Sequence, residues 1–359
     1  MIIGVPKEIK NNEYRVGLTP SLVNSLCKQG HTVLVQSKAG TQIGFGNLAY
    51  QDAGAEISDS AKDIFARADM IVKVKEPQAG ECALLREDQV LFTFLHLAPD
   101  PEQTKALINS KAVCIAYETV TSAHGTLPLL APMSEVAGRM AIQAAATHLE
   151  RSRGGAGILL GGIPGVSPAE VVILGAGVVG RNALQIALGM GAQVTIMDRD
   201  LERLRKIDAL YGNRVRTLFS DAVSIEAAVK NADVVIGGVL LPGGSAPKLV
   251  SHDLIRRMRP GSVVVDVAID QGGCFETSVP TTHTEPTYEI DGVIHYCVAN
   301  MPGAVPYTAT NAITNATLYY TLQIANKGWE KASLDNKHLY NGINVALGKI
   351  YLESLKNQL

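Results

Sequence analysis

The sequence predicts an α/β chain of two doubly wound domains, each built on a mainly parallel sheet with helices on both faces. Three observations predict it. Short β-branched runs alternate with helix-like stretches almost throughout. The chain has 359 residues, 47% of them hydrophobic and 18% charged, which is globular and too long for one ordinary core. The strand-like runs also fall into two series, separated by a glycine-rich stretch at 154–165.

The first series comprises residues 2–5, 32–36, 70–74, 90–94 and 113–117. The second comprises 171–174, 193–197, 215–218, 234–237, 262–267 and 294–298. The two echo each other. Ala68-Asp69-Met70-Ile71-Val72 resembles Ala232-Asp233-Val234-Val235-Ile236, and in each case a further strand-like stretch follows, at 89–95 and 261–267. Between the series a long helix-like segment, 134–151, leads into the glycine-rich stretch. That stretch lacks Gly-Lys-Ser/Thr, so it reads as a turn or hairpin and not as a Walker loop. Later, Asn300-Met301-Pro302-Gly303 breaks the pattern and an amphipathic stretch, 307–327, is expected to return to the first domain. The expected domains are therefore residues 1–128 plus 306–359, discontinuous, and residues 129–305, with a cleft between them.

Several function classes are disfavoured by composition. A net charge of −2, with scattered Lys and Arg, offers no field for nucleic acid or an anionic membrane. Five cysteines without a Cys-x-x-Cys pair read as reduced thiols, not a disulfide framework. The start, Met1-Ile2-Ile3-Gly4-Val5-Pro6, reads as a strand and not as a signal peptide, and no apolar run approaches the ~18 residues of a membrane span. The expectation is a soluble, cytoplasmic protein.

The strongest local motif is Gly175-Ala176-Gly177-Val178-Val179-Gly180, between the strand 171–174 and a helix-like run. Gly175 permits a tight turn, Gly177 lets backbone approach a pyrophosphate, and Gly180 lets helix pack on strand. Amides at the helix start then face the phosphates. Asp198 ends the next strand, 18 residues after Gly180, where a carboxylate accepts the ribose hydroxyls and repels a 2′-phosphate. Together these predict a Rossmann-like dinucleotide site that prefers NAD to NADP. Arg199 beside Asp198 pulls the other way, since an Arg there can serve a 2′-phosphate.

In open α/β sheets ligands gather at the carboxyl ends of strands. Lys75, His96 and Asp270 each sit at such an end, His96 and Asp270 in nearly equivalent places of the two series. Two facing sheets would aim both into one cleft. Position alone also fits a solvated strand-end lysine, a hydrogen-bonding histidine and a turn-capping aspartate. Arg15 is singled out by nothing but its loop.

Taken together, these segments resemble alanine dehydrogenase. The resemblance rests on Gly4-Val5-Pro6-Lys7-Glu8, Arg15-Val16-Gly17-Leu18-Thr19-Pro20, Lys73-Val74-Lys75-Glu76-Pro77, Thr93-Phe94-Leu95-His96-Leu97-Ala98, the glycine loop, Val267-Ala268-Ile269-Asp270-Gln271-Gly272-Gly273-Cys274 and Val298-Ala299-Asn300-Met301-Pro302-Gly303. It implies reversible NAD-dependent oxidative deamination of L-alanine to pyruvate and ammonia. Arg15 would fork the substrate carboxylate, and Lys75 would bind the carboxylate or keto oxygen. His96 would be the acid/base, and Asp270 would activate the attacking water. Cofactor contacts would be Ser134, Gly175, Gly177, Val178, Val179, Gly180, Asp198, Arg203, Ser220, Val239, Leu240, Val267, Ala268, Ile269, Asp270, Val298, Ala299, Asn300 and Met301. Leu130, Met133 and Met301 would crowd the substrate methyl. A homohexamer is implied as well.

Two departures stand out. Val279 occupies a place where family members carry an Arg that touches the cofactor, and Gln323 and Lys327 replace acidic and His metal ligands, so no metal is expected. The alternative reading is the soluble NAD(H)-binding subunit of a transhydrogenase, which shares the fold, the early Arg-Val segment and the glycine loop. That family lacks the counterparts of Lys75, His96 and Asp270.

Overall fold

Short continuous apolar runs alternating with helices dictate what forms. In the computed structural model, which describes residues 1–239 and 246–356, the chain divides into two units: residues 1–133 with 303–359, and residues 134–302.

The first unit carries β1 (Ile2–Val5), β2 (Thr32–Gln36), β3 (Glu56–Ser58), β4 (Met70–Val72), β5 (Val90–Thr93), β6 (Val113–Ala116), β14 (Ile343–Ala346) and β15 (Lys349–Ile350). The sheet order is β15-β14-β6-β5-β4-β1-β2-β3, parallel from β6 to β3 and antiparallel at β14 and β15. Every residue of β4, β5 and β6 is buried, as expected of parallel strands covered on both faces. Helices begin where side-chain oxygens cap free amides: Thr19 for Pro20–Lys28, Ser60 for Ala61–Arg67 and Asp100 for Pro101–Ser110. Proline at the first helical position adds to this in the helices starting at Pro20, Pro101 and Pro306.

The second unit carries β7 (Glu170–Leu174), β8 (Gln193–Asp198), β9 (Val215–Phe219), β10 (Val234–Gly237), β11 (Val263–Asp266), β12 (Thr287–Ile290) and β13 (Val293–Tyr296), ordered β12-β13-β11-β10-β7-β8-β9. Only β12 runs antiparallel. Valine and isoleucine from β7, β8, β10 and β11 fill the core under the helices Ala131–His148 and Val178–Gly189.

Strand order explains the sequence echo. The run β6-β5-β4-β1-β2-β3 matches β13-β11-β10-β7-β8-β9 position for position, so β4 answers to β10 and β5 to β11. The repeat reaches single hydrogen bonds. Asp69 Oδ2 accepts from the Ile2 amide at 2.7 Å, and Asp233 Oδ2 accepts from the Glu170 amide at 2.9 Å. In both units an acid before a central strand pins the first residue of the first strand.

Four strands lie outside the expected series: β3, β12, β14 and β15. All lie at or next to a sheet edge; β3, β12 and β15 are partly exposed, while β14 is a buried run interrupted by the polar Asn344. The expected strands 70–74, 90–94, 113–117, 262–267 and 294–298 each end earlier, where the chain passes into the loops and short turns described next. The glycine-rich stretch forms a turn closed by an Ile163–Val166 bridge.

Candidate active site

At the carboxyl ends of β4 and β5 the chain leaves the sheet with its side chains held from behind. Beyond the strands the pairing continues: the Lys73 amide donates to the Phe92 carbonyl at 3.2 Å and the Phe94 amide to the Val74 carbonyl at 3.3 Å. Lys75 and His96 therefore leave adjacent strand ends in the same direction.

Lys75 is half-buried, and its backbone is fixed at both ends of the residue. Glu8 Oε1 accepts from the Val74 amide at 2.7 Å and the Lys75 amide at 3.3 Å, while Thr93 Oγ1 donates to the Lys75 carbonyl at 2.9 Å. Glu8 is itself anchored by the buried Lys73, whose Nζ lies 3.0 Å from Glu8 Oε2 and 2.8 Å from Glu81 Oε1. Burial pushes the Glu8 carboxyl above its ordinary value, with Lys73 working against the rise. Burial alone would lower the Lys73 ammonium, but the two carboxylates more than reverse that and raise it. For Glu76, burial is outweighed by the Lys75 and Lys10 charges, and its carboxyl lies below the ordinary value.

Arg15 is almost wholly buried, with 2% of its side chain exposed against 0% for Glu13. Its Nε meets Glu13 Oε1 at 2.6 Å and Nη2 meets Glu13 Oε2, a bidentate fork. The remaining nitrogen, Nη1, lies 3.2 Å from Met133 Sδ, so the expected carboxylate and methyl-crowding residues are brought together. Glu13 was not anticipated as the partner of that fork.

His96 is exposed at the end of a buried run and adopts φ = +48°, a left-handed conformation that costs a non-glycine residue about 1–2 kcal/mol. Glu118 holds it there. One carboxylate oxygen accepts from the Leu95 amide at 3.1 Å and the His96 amide at 2.7 Å, bonds to a charged acceptor of roughly 1.5–3 kcal/mol each. These outweigh the strain. The imidazole stacks on Phe94, ring centroids 5.7 Å apart and planes within 6°. Phe94 in turn meets Tyr117 edge-on, and Tyr117 donates to the Lys73 carbonyl at 3.0 Å.

In the second unit the glycine loop answers a direct test for a dinucleotide. A Cβ on Gly180 would sit 1.8 Å from the Gly175 carbonyl, so only glycine lets the helix Val178–Gly189 start against that turn. Gly175 itself has φ = +100°. Gly177 differs: a Cβ there would meet nothing within 4 Å, leaving open space over the first amides of the helix. A pyrophosphate fits such a cradle.

Asp198 closes the same corner. Its Oδ2 accepts from the Ala176 amide at 2.7 Å and faces Arg203 Nη1 at 3.4 Å, and its Oδ1 accepts from the Asp200 amide at 2.8 Å. The buried Ser220 donates its amide to the Asp198 carbonyl at 3.0 Å, and Arg199 Nε points to the Ser220 carbonyl at 3.4 Å. Val239 Cγ2 lies where a Gly175 Cβ would come within 3.0 Å, and Val179 packs against Gly238. Ser134 is one helical turn ahead of Gly138, which backs onto the Val179 carbonyl so closely that a Cβ would reach 2.3 Å. Asp198, Arg203, Ser220, Ala176, Val179 and Val239 thus form one neighbourhood. Leu240 lies outside the described residues.

Val267, Ala268, Ile269 and Asp270 follow β11, and Asp270 is exposed on a short turn, Ile269–Gln271. A buried carboxylate, Asp266, ties that loop down: it accepts from the Cys274 amide at 2.8 Å, the Ala268 amide at 3.1 Å and the Ser278 hydroxyl at 2.5 Å. Burial pushes the Asp266 carboxyl up, against the pull of these donors. Val298, Ala299, Asn300 and Met301 follow the neighbouring β13, with Asn300 at φ = +60° and its carbonyl accepting from His283 Nε2 at 3.1 Å. Val279 is exposed, and Lys327 pairs with Asp335 at 2.9 Å. No cluster of three His, Cys, Asp or Glu side chains suited to a metal occurs among the described residues, and no helix there is long and apolar enough to cross a membrane.

Sequence reasoning missed Glu8, Glu13, Tyr117, Glu118 and Asp266. One signal was available: Asp266 is a lone acid inside the apolar run 263–269.

The chain matches two family models in order, the N-terminal domain of alanine dehydrogenase/PNT over residues 4–137 and its C-terminal domain over residues 141–353. It is 56% identical to the alanine dehydrogenase of Halomonas elongata, across 98% of this chain and 94% of that protein. It is 54% identical to that of Bacillus subtilis, across 100% and 95%. A solved L-alanine dehydrogenase superimposes with a TM-score of 0.96 at 52% identity, covering 99% of this chain and 98% of that one. A transhydrogenase from Sinorhizobium meliloti shares the fold, with a TM-score of 0.84 at 24% identity and coverage of 99% and 100%. With both family domains matched and half or more of all positions shared along its whole length, this chain belongs to the alanine dehydrogenase/PNT family.

Proposed function

We propose that the chain is an NAD-dependent L-alanine dehydrogenase, which converts L-alanine reversibly to pyruvate and ammonia. The observation that carries this reading is His96, exposed and held in a strained conformation on the same sheet end as Lys75, in a chain half or more identical to several alanine dehydrogenases. The identity favours a self-contained dehydrogenase over a transhydrogenase subunit, whose solved relative shows likeness of fold alone.

Arg15 and Lys75 bind and orient the substrate in this reading. Arg15, oriented by its fork on Glu13, and the Lys75 ammonium supply the positive charge that the substrate carboxylate and keto oxygen require. Met133 beside that donor limits the space for a side chain to a methyl. His96 moves the proton at the oxygen on C2, and Asp270 orients and deprotonates the water that attacks the imine carbon. Asp198 keeps acceptor capacity for a ribose diol, since a carboxylate offers about four lone-pair sites. Its charge disfavours a 2′-phosphate, which supports NAD over NADP. A bound nicotinamide would supply the hydride acceptor for Cα, and the chain contributes orientation and proton movement.

The proposal extends to a cytoplasmic homohexamer without a metal. The assay that tests the function is NADH formation from L-alanine with NAD or NADP, beside glycine, L-serine and L-glutamate. Turnover absent with L-alanine, or equal with L-glutamate, overturns it.

A further inference from the structure

We infer that Glu118 is the positioning residue for His96. It has no place among the substrate or cofactor contacts, yet it makes the hydrogen bonds that set the backbone of the proposed acid/base. The inference rests on the dehydrogenase reading and deepens it.

Three observations carry it. The first is the conformation. His96 turns left-handed immediately after β5, a region that L side chains rarely adopt and that recurs at functional sites, where surrounding groups over-determine it. The second is the pattern of donors. The Leu95 and His96 amides converge on one carboxylate, which fixes the orientation of the peptide from which His96 leaves β5. The third is that Glu118 is itself fixed. It sits on the single turn Tyr117–Thr119 after β6, between Tyr117, bonded to the Lys73 carbonyl, and Thr119, bonded to Asn344 at 2.8 Å. The same turn thus reaches both strand ends that carry the substrate groups.

From the other side, Gln103 Nε2 donates to the Leu95 carbonyl at 3.0 Å and the Phe94 ring lies parallel to the imidazole and offset from it. Removing the carboxylate frees the Leu95–His96 peptide to turn. The imidazole then leaves its stack on Phe94, and the displacement falls directly on the reacting atoms.

The test is a double-mutant cycle between Glu118 and His96, read as kcat for L-alanine oxidation, with NADH affinity by fluorescence titration and melting temperature alongside. Glu118→Ala is expected to lose about 10²-fold in kcat, the effect of displacing an acting group by about 1 Å. Glu118→Gln, whose amide oxygen still accepts from both amides, is expected to lose about tenfold or less. NADH affinity stays within about twofold in both, since that site belongs to the other unit. In a His96→Ala background the same replacements are expected to change kcat by less than about twofold, because Glu118 acts only through that imidazole. Should Glu118→Ala not fold, the glutamine cycle decides by the same criterion. Full kcat in both Glu118 variants, or an equal loss with and without His96, overturns the inference. An inactive wild type overturns the dehydrogenase reading instead.

Discussion

Replacing Lys73 by Met tests whether the buried charges behind Lys75 are arranged as described. Lys73 has 0% side-chain exposure and serves two carboxylates that are themselves buried, Glu8 at 2% and Glu81 at 5%. A methionine fills the volume and removes the cation that the two acids share. Breaking a buried pair in this way typically costs about 3–5 kcal/mol. The protein has a way to cap the loss: the two acids can share one proton. Protonating one glutamate, free value ~4.3, costs about 1.4 kcal/mol per pH unit above that value. The ceiling is then about 1 kcal/mol at pH 5 and about 4 kcal/mol at pH 7. For a domain of this size, with about 2–4 °C of melting temperature per kcal/mol, the loss is about 2–4 °C at pH 5 and about 7–15 °C at pH 7.

The sign follows from linkage. A carboxyl raised in the folded state contributes stability that is complete below its unfolded value and is lost as pH rises through the folded value. Glu8 is already raised in the wild type, and losing Lys73 raises it further, so the variant's deficit grows toward alkaline pH. The Lys73 ammonium is raised as well, so the wild type keeps that contribution until pH climbs past the ordinary lysine range. Thermal melts of both proteins between pH 5 and 8, followed by circular dichroism, measure this. Equal losses at pH 5 and 7, or a loss under about 3 °C at pH 7, would refute the reasoning. Because Glu8 also caps the Lys75 amide, the variant's KM for L-alanine is expected to rise more than its KM for NAD.

The glycine loop gives a paired prediction. Gly177→Ala should melt like the wild type and bind NADH at least about tenfold more weakly, while Gly180→Ala should lower the melting temperature because its Cβ overlaps the Gly175 carbonyl; isothermal titration and melting curves that show the reverse would contradict the cradle. Asp198→Ala is expected to raise KM for NAD and narrow the preference over NADP, and a wild type that uses both cofactors equally would contradict the role of that carboxylate. His96→Ala is expected to lose roughly 10²–10⁴ in turnover with NADH affinity nearly unchanged, and a folded variant with normal turnover would remove His96 from the chemistry. Light scattering is expected to find an assembly of six chains of 38.1 kDa, so a monomer at micromolar concentration would contradict the hexamer.

Much of the fold was legible because a parallel α/β plan writes itself locally. A strand buried on both faces is a run of β-branched residues, and several of the helices begin at a capping Ser, Thr or Asp. The strands that went unread, Glu56–Ser58, Thr287–Ile290, Ile343–Ala346 and Lys349–Ile350, lie at or near sheet edges and include charged or polar residues. The groups proposed to react were legible because they stand where a buried run stops. What holds them was not. Glu118 reaches back to His96 from the next strand, and Glu8 reaches Lys75 across 67 positions of sequence. Nothing in a run of residues marks an acid whose partner is a distant backbone amide.

The late arrival of β14 bears on how the chain comes to be folded. This strand pairs antiparallel with β6, Ile343 opposite Ile115, although the whole second unit is synthesised between them. A nascent chain that has released residues 1–300 therefore carries an open edge at Val113-Cys114-Ile115-Ala116, four apolar residues whose backbone pairs with β5 on one side and lacks its β14 partner on the other. At translation speeds of about 5–20 residues per second, that edge waits on the order of ten seconds or more for its partner. The second unit can close its own sheet in that interval; the first cannot. Chains truncated before residue 343 are accordingly the ones expected to aggregate, with the dinucleotide-type unit intact and the other left unfinished.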